Sequence, residues 1–235
     1  MIERFGSLTS GLGDVLLLTS LCKYFPGRFT IQLPSKVSRF SILFDGLANV
    51  EISDDVDVIP DVGSGHYATT KLRNLFGSSA DHLDNRPLVL HFNLESELWV
   101  RSYLSKFTNP IILVTKCAKA HDKTRSLPHA LSAKIFEDLK GRGFTPILCQ
   151  SSSNPDTSLD CEKLTDIDLS KYVALLRACG RYMGANTGDM HLAVGLGCLV
   201  NVYQPKSGGS FWHNNWNYNH PLVAYNTFQD DFTIS

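Results

Sequence analysis

Ala185-Asn186-Thr187-Gly188-Asp189-Met190-His191-Leu192-Ala193-Val194-Gly195-Leu196-Gly197 runs directly into the apolar stretch from Cys198 to Tyr203. Asn-Thr-Gly forms a turn, the next residues form a short helix with one histidine in its first turn, and the apolar stretch reads as a buried strand. A glycine turn feeding a helix start gathers unpaired backbone N–H groups and the positive helix end at one point. Such a point can hold phosphate or another anion. The plainer reading is a glycine needed only for a tight strand-to-helix turn. Spacing alone leaves both open.

Working outward, strand-like and helix-like segments alternate along the whole chain, which predicts an α/β architecture with parallel sheets. The expected strands are Ile2–Phe5, Phe29–Leu33, Val50–Ile52, Val56–Ile59, Leu88–Phe92, Ile111–Val114, Thr145–Cys149, Arg181–Gly184 and Cys198–Tyr203. The expected helices are Asp14–Phe25, Lys36–Phe44, Tyr67–Phe76, Glu95–Phe107, Leu169–Cys179 and one opening at Pro128, a residue suited to a first helical position. A break at Thr108-Asn109-Pro110 suggests two βαβ halves, residues 1–108 and 109–235. No Gly/Ser-rich linker separates them, so the halves are expected to touch across a cleft.

Composition narrows the function. The 235 residues are 43% hydrophobic, enough for a real core. A net charge of -1 gives no global basic field for nucleic acid or an anionic membrane, so neither a nucleic-acid partner nor more than peripheral membrane contact is expected. The six cysteines include no C-x-x-C pair, and a domain of this size needs no disulfide framework. Val15–Leu18 is too short to span a bilayer and no signal-type start is present, so the expected location is cytoplasmic.

Four stretches carry candidate chemistry. Ser10-Gly11-Leu12-Gly13-Asp14 lies between the first strand and the first helix. Gly11 and Gly13 allow a ligand close to the backbone, and Asp14 sits at or beside the helix start. Asp14 can cap that helix, or serve as a general base at the mouth of the sheet. The stretch is no dinucleotide fingerprint, because the third glycine is missing. After Ile111–Val114 comes a loop with Thr115, Lys116, Lys119, His121, Lys123, Thr124 and Arg125. Its hydroxyls and cations could hold a diphosphate, or simply be solvated. In the opening stretch, Thr187 and Gly188 would meet phosphate oxygens, His191 could donate to the same anion, and Asn186 holds the turn. Further on, Ser207–Ser210 precedes an aromatic and amide cluster, Phe211–Tyr218, suited to stacking on a sugar or base, or to packing as a surface loop.

Taken in order, "GLGDVLLLTSL", "IILVTKCAKAHDKTRSLP" and "NTGDMHLAVGLGCLVNVYQP" resemble the motifs of the ADP-heptose:lipopolysaccharide heptosyltransferases, glycosyltransferase family nine. The family's last motif reads D-T-G-x-M-H-L-A. The resemblance implies a GT-B fold, two Rossmann-like domains with parallel sheets facing a cleft, the acceptor mainly on the first and the donor mainly on the second. It implies an inverting transfer of a sugar, heptose in the family's name, from a nucleotide-diphosphate donor to a glycan or lipopolysaccharide-like acceptor, with no metal and no other cofactor. By motif, Asp14 would be the base and Gly11 and Gly13 would form the acceptor-side loop. Thr115, Lys123, Arg125, Asn186, Thr187, Gly188 and His191 would line the donor phosphates. Two residues depart from the pattern: Asn186 stands for the usual aspartate, and Leu127 for the usual tryptophan before Pro128. Two other functions use the same residues: a non-catalytic nucleotide or sugar-phosphate binding module, and a nucleotide-sugar epimerase.

Overall fold

The structure, a computed structural model, describes residues 3–6, 11–24, 29–33, 35–53, 77, 83–115, 126–205, 218 and 220–228. The chain forms two compact units, Met1–Phe92 with Asn214–Tyr218, and Asn93–His213 with Asn219–Ser235.

The first unit holds a three-stranded parallel sheet in the order β1 (Glu3–Gly6), β2 (Phe29–Gln32), β3 (Val50–Ser53). Helix α1 (Leu12–Leu21) connects β1 to β2. Its unbroken apolar run buries Val15, Leu16 and Leu18 completely. Thr19 is buried with them, and its hydroxyl both donates to the Leu16 carbonyl at 2.6 Å and accepts from the Leu88 N–H at 2.9 Å. That pair of bonds satisfies a polar group that would otherwise be costly to bury. Just past α1, the Lys23 ammonium reaches Asp84 at 2.9 Å, tying the helix end to residues 83–92.

Two expectations change here. Ser35–Phe44 is a 3-10 helix rather than an α-helix. Leu88–Phe92 pairs with no strand among the described residues, although Val89 and His91 are buried while Leu90 and Phe92 are exposed. The strand's alternation is present, but packing satisfies it without a hydrogen-bond ladder. The expected strand at 56–59 and helix at 67–76 lie outside the described residues.

The second unit is a six-stranded sheet in the order β6-β5-β4-β7-β8-β9, every pairing parallel. Its strands are β4 (Ile111–Thr115), β5 (Thr145–Gln150), β6 (Glu162–Thr165), β7 (Arg181–Ala185), β8 (Leu199–Pro205) and β9 (Val223–Phe228). Numbered within the unit, this is the 3-2-1-4-5-6 order of the dinucleotide-binding doubly wound sheets. The direction of winding reverses between β4 and β7.

Four helices cover this sheet: α2 (Leu94–Leu104), α3 (His129–Gly141), α4 (Leu169–Cys179) and α5 (Gly188–Gly195). In α3, Leu131, Ile135, Phe136 and Leu139 recur at helical spacing and pack on Ile112, Val114 and Leu148. Pro128 is the cap of α3 and His129 its first residue, one position later than expected. Asp168 caps α4 by accepting from the N–H groups of Ser170 and Lys171, and Gly180 ends it at φ +62, a left-handed conformation that suits glycine. Helix α2 precedes Pro110 yet belongs to this second unit, where Glu97 pairs with Arg177 of α4 at 2.7 Å.

Candidate functional site

The carboxyl end of β4 is Thr115 and that of β7 is Ala185, and the two strands lie side by side with Thr115 opposite Gly184. Because the strands are parallel, both ends open on the same side of the sheet. In doubly wound sheets, ligands bind in the crevice at this reversal point.

Gly184 allows the close approach. A Cβ built on it would collide with the Thr115 carbonyl oxygen and lie 2.9 Å from the Tyr182 hydroxyl oxygen. Past Ala185 the chain turns through Asn186 and Thr187 into α5, with Thr187 as the N-cap. The Thr187 carbonyl accepts from Met190 at 3.1 Å and from His191 at 3.4 Å, while its side chain caps nothing. The N–H groups of Gly188 and Asp189 lie ahead of the helical ladder, as the first donors of any helix do.

Side chains around this turn are buried and polar. Thr115, Asn186, Thr187 and His191 are each under 8% exposed. Among the described residues the Asn186 amide nitrogen has no hydrogen-bond partner, which is rare for a buried donor. Five hydroxyl and carboxyl groups face one another in a ring. Thr187 donates to Asp189 at 3.3 Å, and the Tyr182 and Thr187 hydroxyls lie 3.4 Å apart. Tyr182 also donates to the Ala185 carbonyl at 3.3 Å, the Thr115 hydroxyl lies 3.4 Å from that of Tyr172, and Tyr172 lies near enough to Asp189 to favour its ionised form. The ring thus joins β4, α4, β7 and α5.

Asp189 is the one acid in it. Its side chain is half-buried. Desolvation pushes the carboxyl up to about 6, against Thr187, its own N–H and Tyr172, which favour the ionised form. Burial, followed by the Asp189 charge, holds the hydroxyls of Tyr172 and Tyr182 well above the usual tyrosine range. Both therefore stay protonated.

Of the residues singled out from sequence, Thr115, Asn186, Thr187, Gly188 and His191 all stand at the carboxyl ends of β4 and β7 or in the first turn of α5. Gly11 is the N-cap of α1, followed by Leu12, Gly13 and Asp14. The capping position expected for Asp14 therefore belongs to Gly11, and Asp14 sits in the first turn. Lys123 and Arg125, with the rest of 116–125, lie outside the described residues, as does the aromatic cluster apart from buried Tyr218. Sequence reading missed Tyr172, Tyr182, Gly184 and the role of Asp189. For Asp189 a signal existed, an acid at the second position of a helix. Among the described residues no group of three or more His, Cys, Asp or Glu could hold a metal ion. No described helix is long and apolar enough to cross a membrane.

No family model and no curated protein sequence matches the chain. Solved structures do. The chain is similar to E. coli ADP-heptose LPS heptosyltransferase II at TM-score 0.63 and 15% identity, over 97% of this chain and 90% of that one. It is similar to a family 9 glycosyltransferase from Veillonella parvula DSM 2008 at TM-score 0.66 and 11% identity, over 97% and 86%. A third match is the E. coli heptosyltransferase WaaC with ADP, at TM-score 0.56 and 12% identity, over 97% and 91%. At such identities the likeness is one of fold: the chain has the GT-B-like α/β fold of these proteins, as its motifs led us to expect.

Proposed function

We propose that this chain is an inverting, metal-independent glycosyltransferase that takes its sugar from a nucleotide diphosphate. The observation that carries the reading is the Asn186–Thr187–Gly188 turn beside Thr115 at the reversal point of a 3-2-1-4-5-6 sheet. The WaaC neighbour with ADP supports a nucleoside-diphosphate ligand, and the heptosyltransferase neighbours support ADP-heptose as the first donor to try.

In this reading residues 109–235 hold the donor and residues 1–108 the acceptor, a glycan or lipopolysaccharide-like molecule. Asp14 takes the proton of the acceptor hydroxyl as that oxygen attacks the anomeric carbon from the face opposite the diphosphate. The bond from that carbon to the phosphate oxygen breaks, and the nucleoside diphosphate leaves with the electron pair. Helix N–H groups, Thr115, Thr187, His191 and the cations Lys123 and Arg125 would stabilise the departing charge, a task that needs no metal.

The test has two parts. A nucleotide-sugar panel including ADP-heptose is screened by thermal shift, where a ligand at 100 times its Kd adds roughly 2.7 kcal/mol of stability. Transfer is then assayed with the donor that binds. Asp14→Ala should lose about a hundredfold or more in kcat while donor binding stays within about twofold, the usual scale for removing a general base. Full turnover in Asp14→Ala removes the base assignment. Donor binding without transfer to any acceptor leaves a binding module, the reading that the Asn186 departure favours.

A further inference from the structure

Where the resembling motif begins with an acid, this chain has Asn186, and it carries its acid three positions later at Asp189. The exchange moves the charge from the turn to the start of α5. There the Asp189 carboxylate accepts the Thr187 hydroxyl at 3.3 Å, a donor that a bound anion would otherwise take. Asn186, meanwhile, offers a buried amide N–H that no described residue uses. One residue of the turn is thus an unspent donor and another is a resident anion.

We infer that Asp189 is a specificity-determining residue, an internal anion that competes with the ligand's phosphates for the start of α5 and takes up a proton when a diphosphate binds. The inference rests on the nucleotide-diphosphate reading above and specifies which protonation state of the site accepts that ligand. Its physical basis is the ring. Among the described residues, the groups acting on Asp189 are Thr187 on its own helix, Tyr172 from α4, Tyr182 from β7 and the Cys149 thiol from β5. Burial holds Tyr172, Tyr182 and Cys149 protonated to high pH, so Asp189, pushed up to about 6, is the member of this group whose charge changes between about pH 5 and about pH 7. An ionised Asp189 draws the hydroxyl protons of Thr187 and Tyr172 toward itself and repels phosphate. A protonated Asp189 releases the Thr187 hydroxyl and removes the repulsion.

The probes are ADP-glucose and UDP-glucose, whose phosphates are both diesters and do not titrate between about pH 5 and about pH 8. Affinity is measured by calorimetry at about pH 5.5 and about pH 7.5, in buffers of differing ionisation heat. The wild-type chain should bind on the order of tenfold more weakly at the higher pH and take up close to one proton per ligand. Asp189→Asn should bind at the higher pH as tightly as the wild type does at the lower, with no proton uptake. Tyr172→Phe, which removes one donor to the carboxylate, should move the pH midpoint upward, and it tests the same point if Asp189→Asn folds poorly. A pH-independent wild-type affinity overturns the inference and leaves the donor reading standing. So does a pH dependence that survives in Asp189→Asn. Failure of both probes at both pH values overturns the donor reading and the inference with it.

Discussion

Replacing Gly184 by alanine tests the geometry on which the candidate site depends. The added Cβ meets the Thr115 carbonyl oxygen inside contact distance, the Tyr182 hydroxyl oxygen at 2.9 Å and the Thr115 nitrogen at 3.1 Å. Two of these three atoms are backbone of the neighbouring strand, in a register that sets Thr115 opposite Gly184. No side-chain rotation relieves them, so β4 must move away from β7. Overpacking of this kind costs about 1–3 kcal/mol, and a backbone collision belongs at the upper end. The lower chain entropy of alanine in the unfolded state returns about 0.4–1 kcal/mol. The net expectation is a loss of about 2 kcal/mol, or roughly a 1 M fall in urea midpoint for an m-value near 2 kcal/mol/M. Gly141→Ala is the control, because a Cβ there meets nothing within 4 Å. Urea unfolding followed by circular dichroism reads both variants. A Gly184→Ala midpoint equal to that of Gly141→Ala would refute the close approach of β4 and β7, and with it the placement of Thr115 beside the turn.

Other perturbations separate binding from folding. Asn186→Ala removes a buried donor that has no partner, so stability should change by less than about 1 kcal/mol while nucleotide-sugar affinity falls about tenfold. Unchanged affinity would show that the amide does not meet the ligand. Because the Asp189 carboxyl is raised to about 6 in the folded chain and is near 4 unfolded, the folded state holds more protons between these values. Stability should therefore fall by about 2–3 kcal/mol as pH rises through that window, a slope that urea titrations should find missing in Asp189→Asn. Asn186→Asp restores the acid of the resembling motif next to an existing one. Two carboxylates in one buried turn repel, so at neutral pH this variant should be less stable than Asn186→Asp combined with Asp189→Asn, by thermal melting.

The parts of the fold that were legible in sequence are those where burial imposes a simple pattern. Ile111–Thr115, Thr145–Gln150 and Arg181–Ala185 lie inside a parallel sheet covered by helices, so they read as short apolar runs. Leu169–Cys179 was legible to the residue because Asp168 and Gly180 mark its ends chemically. The two strands that escaped, Glu162–Thr165 and Val223–Phe228, are the sheet's edges. An edge strand is covered on fewer sides, and Glu-Lys-Leu-Thr carries neither an apolar run nor an alternation. Leu88–Phe92 failed in the opposite sense. Its alternation arises from packing, and alternation reports which side chains are buried, never whether a neighbouring backbone supplies the hydrogen bonds.

The candidate site divides along the same physical line. Asn186, Thr187 and Gly188 were legible because a turn and a helix start are local chemistry, written in consecutive residues. The ring beneath them is not local. Thr115 and Tyr172 are 57 positions apart in sequence, and only the adjacency of β4 and β7 under α4 brings their hydroxyls together. Within a strand, Tyr182 reads as an apolar core residue, and its ring is indeed wholly buried, but its hydroxyl reaches the turn. Asp189 was open to a misreading for a different reason. An acid in the first turn of a helix is commonly a favourable partner for the helix dipole, and that explanation stops inquiry. Partial burial changes its meaning: the same charge becomes costly, the carboxyl is pushed up to about 6, and it lies where the turn would receive an anion. The residue type was visible from the start, whereas its consequence depends on the desolvation that four separate elements create together.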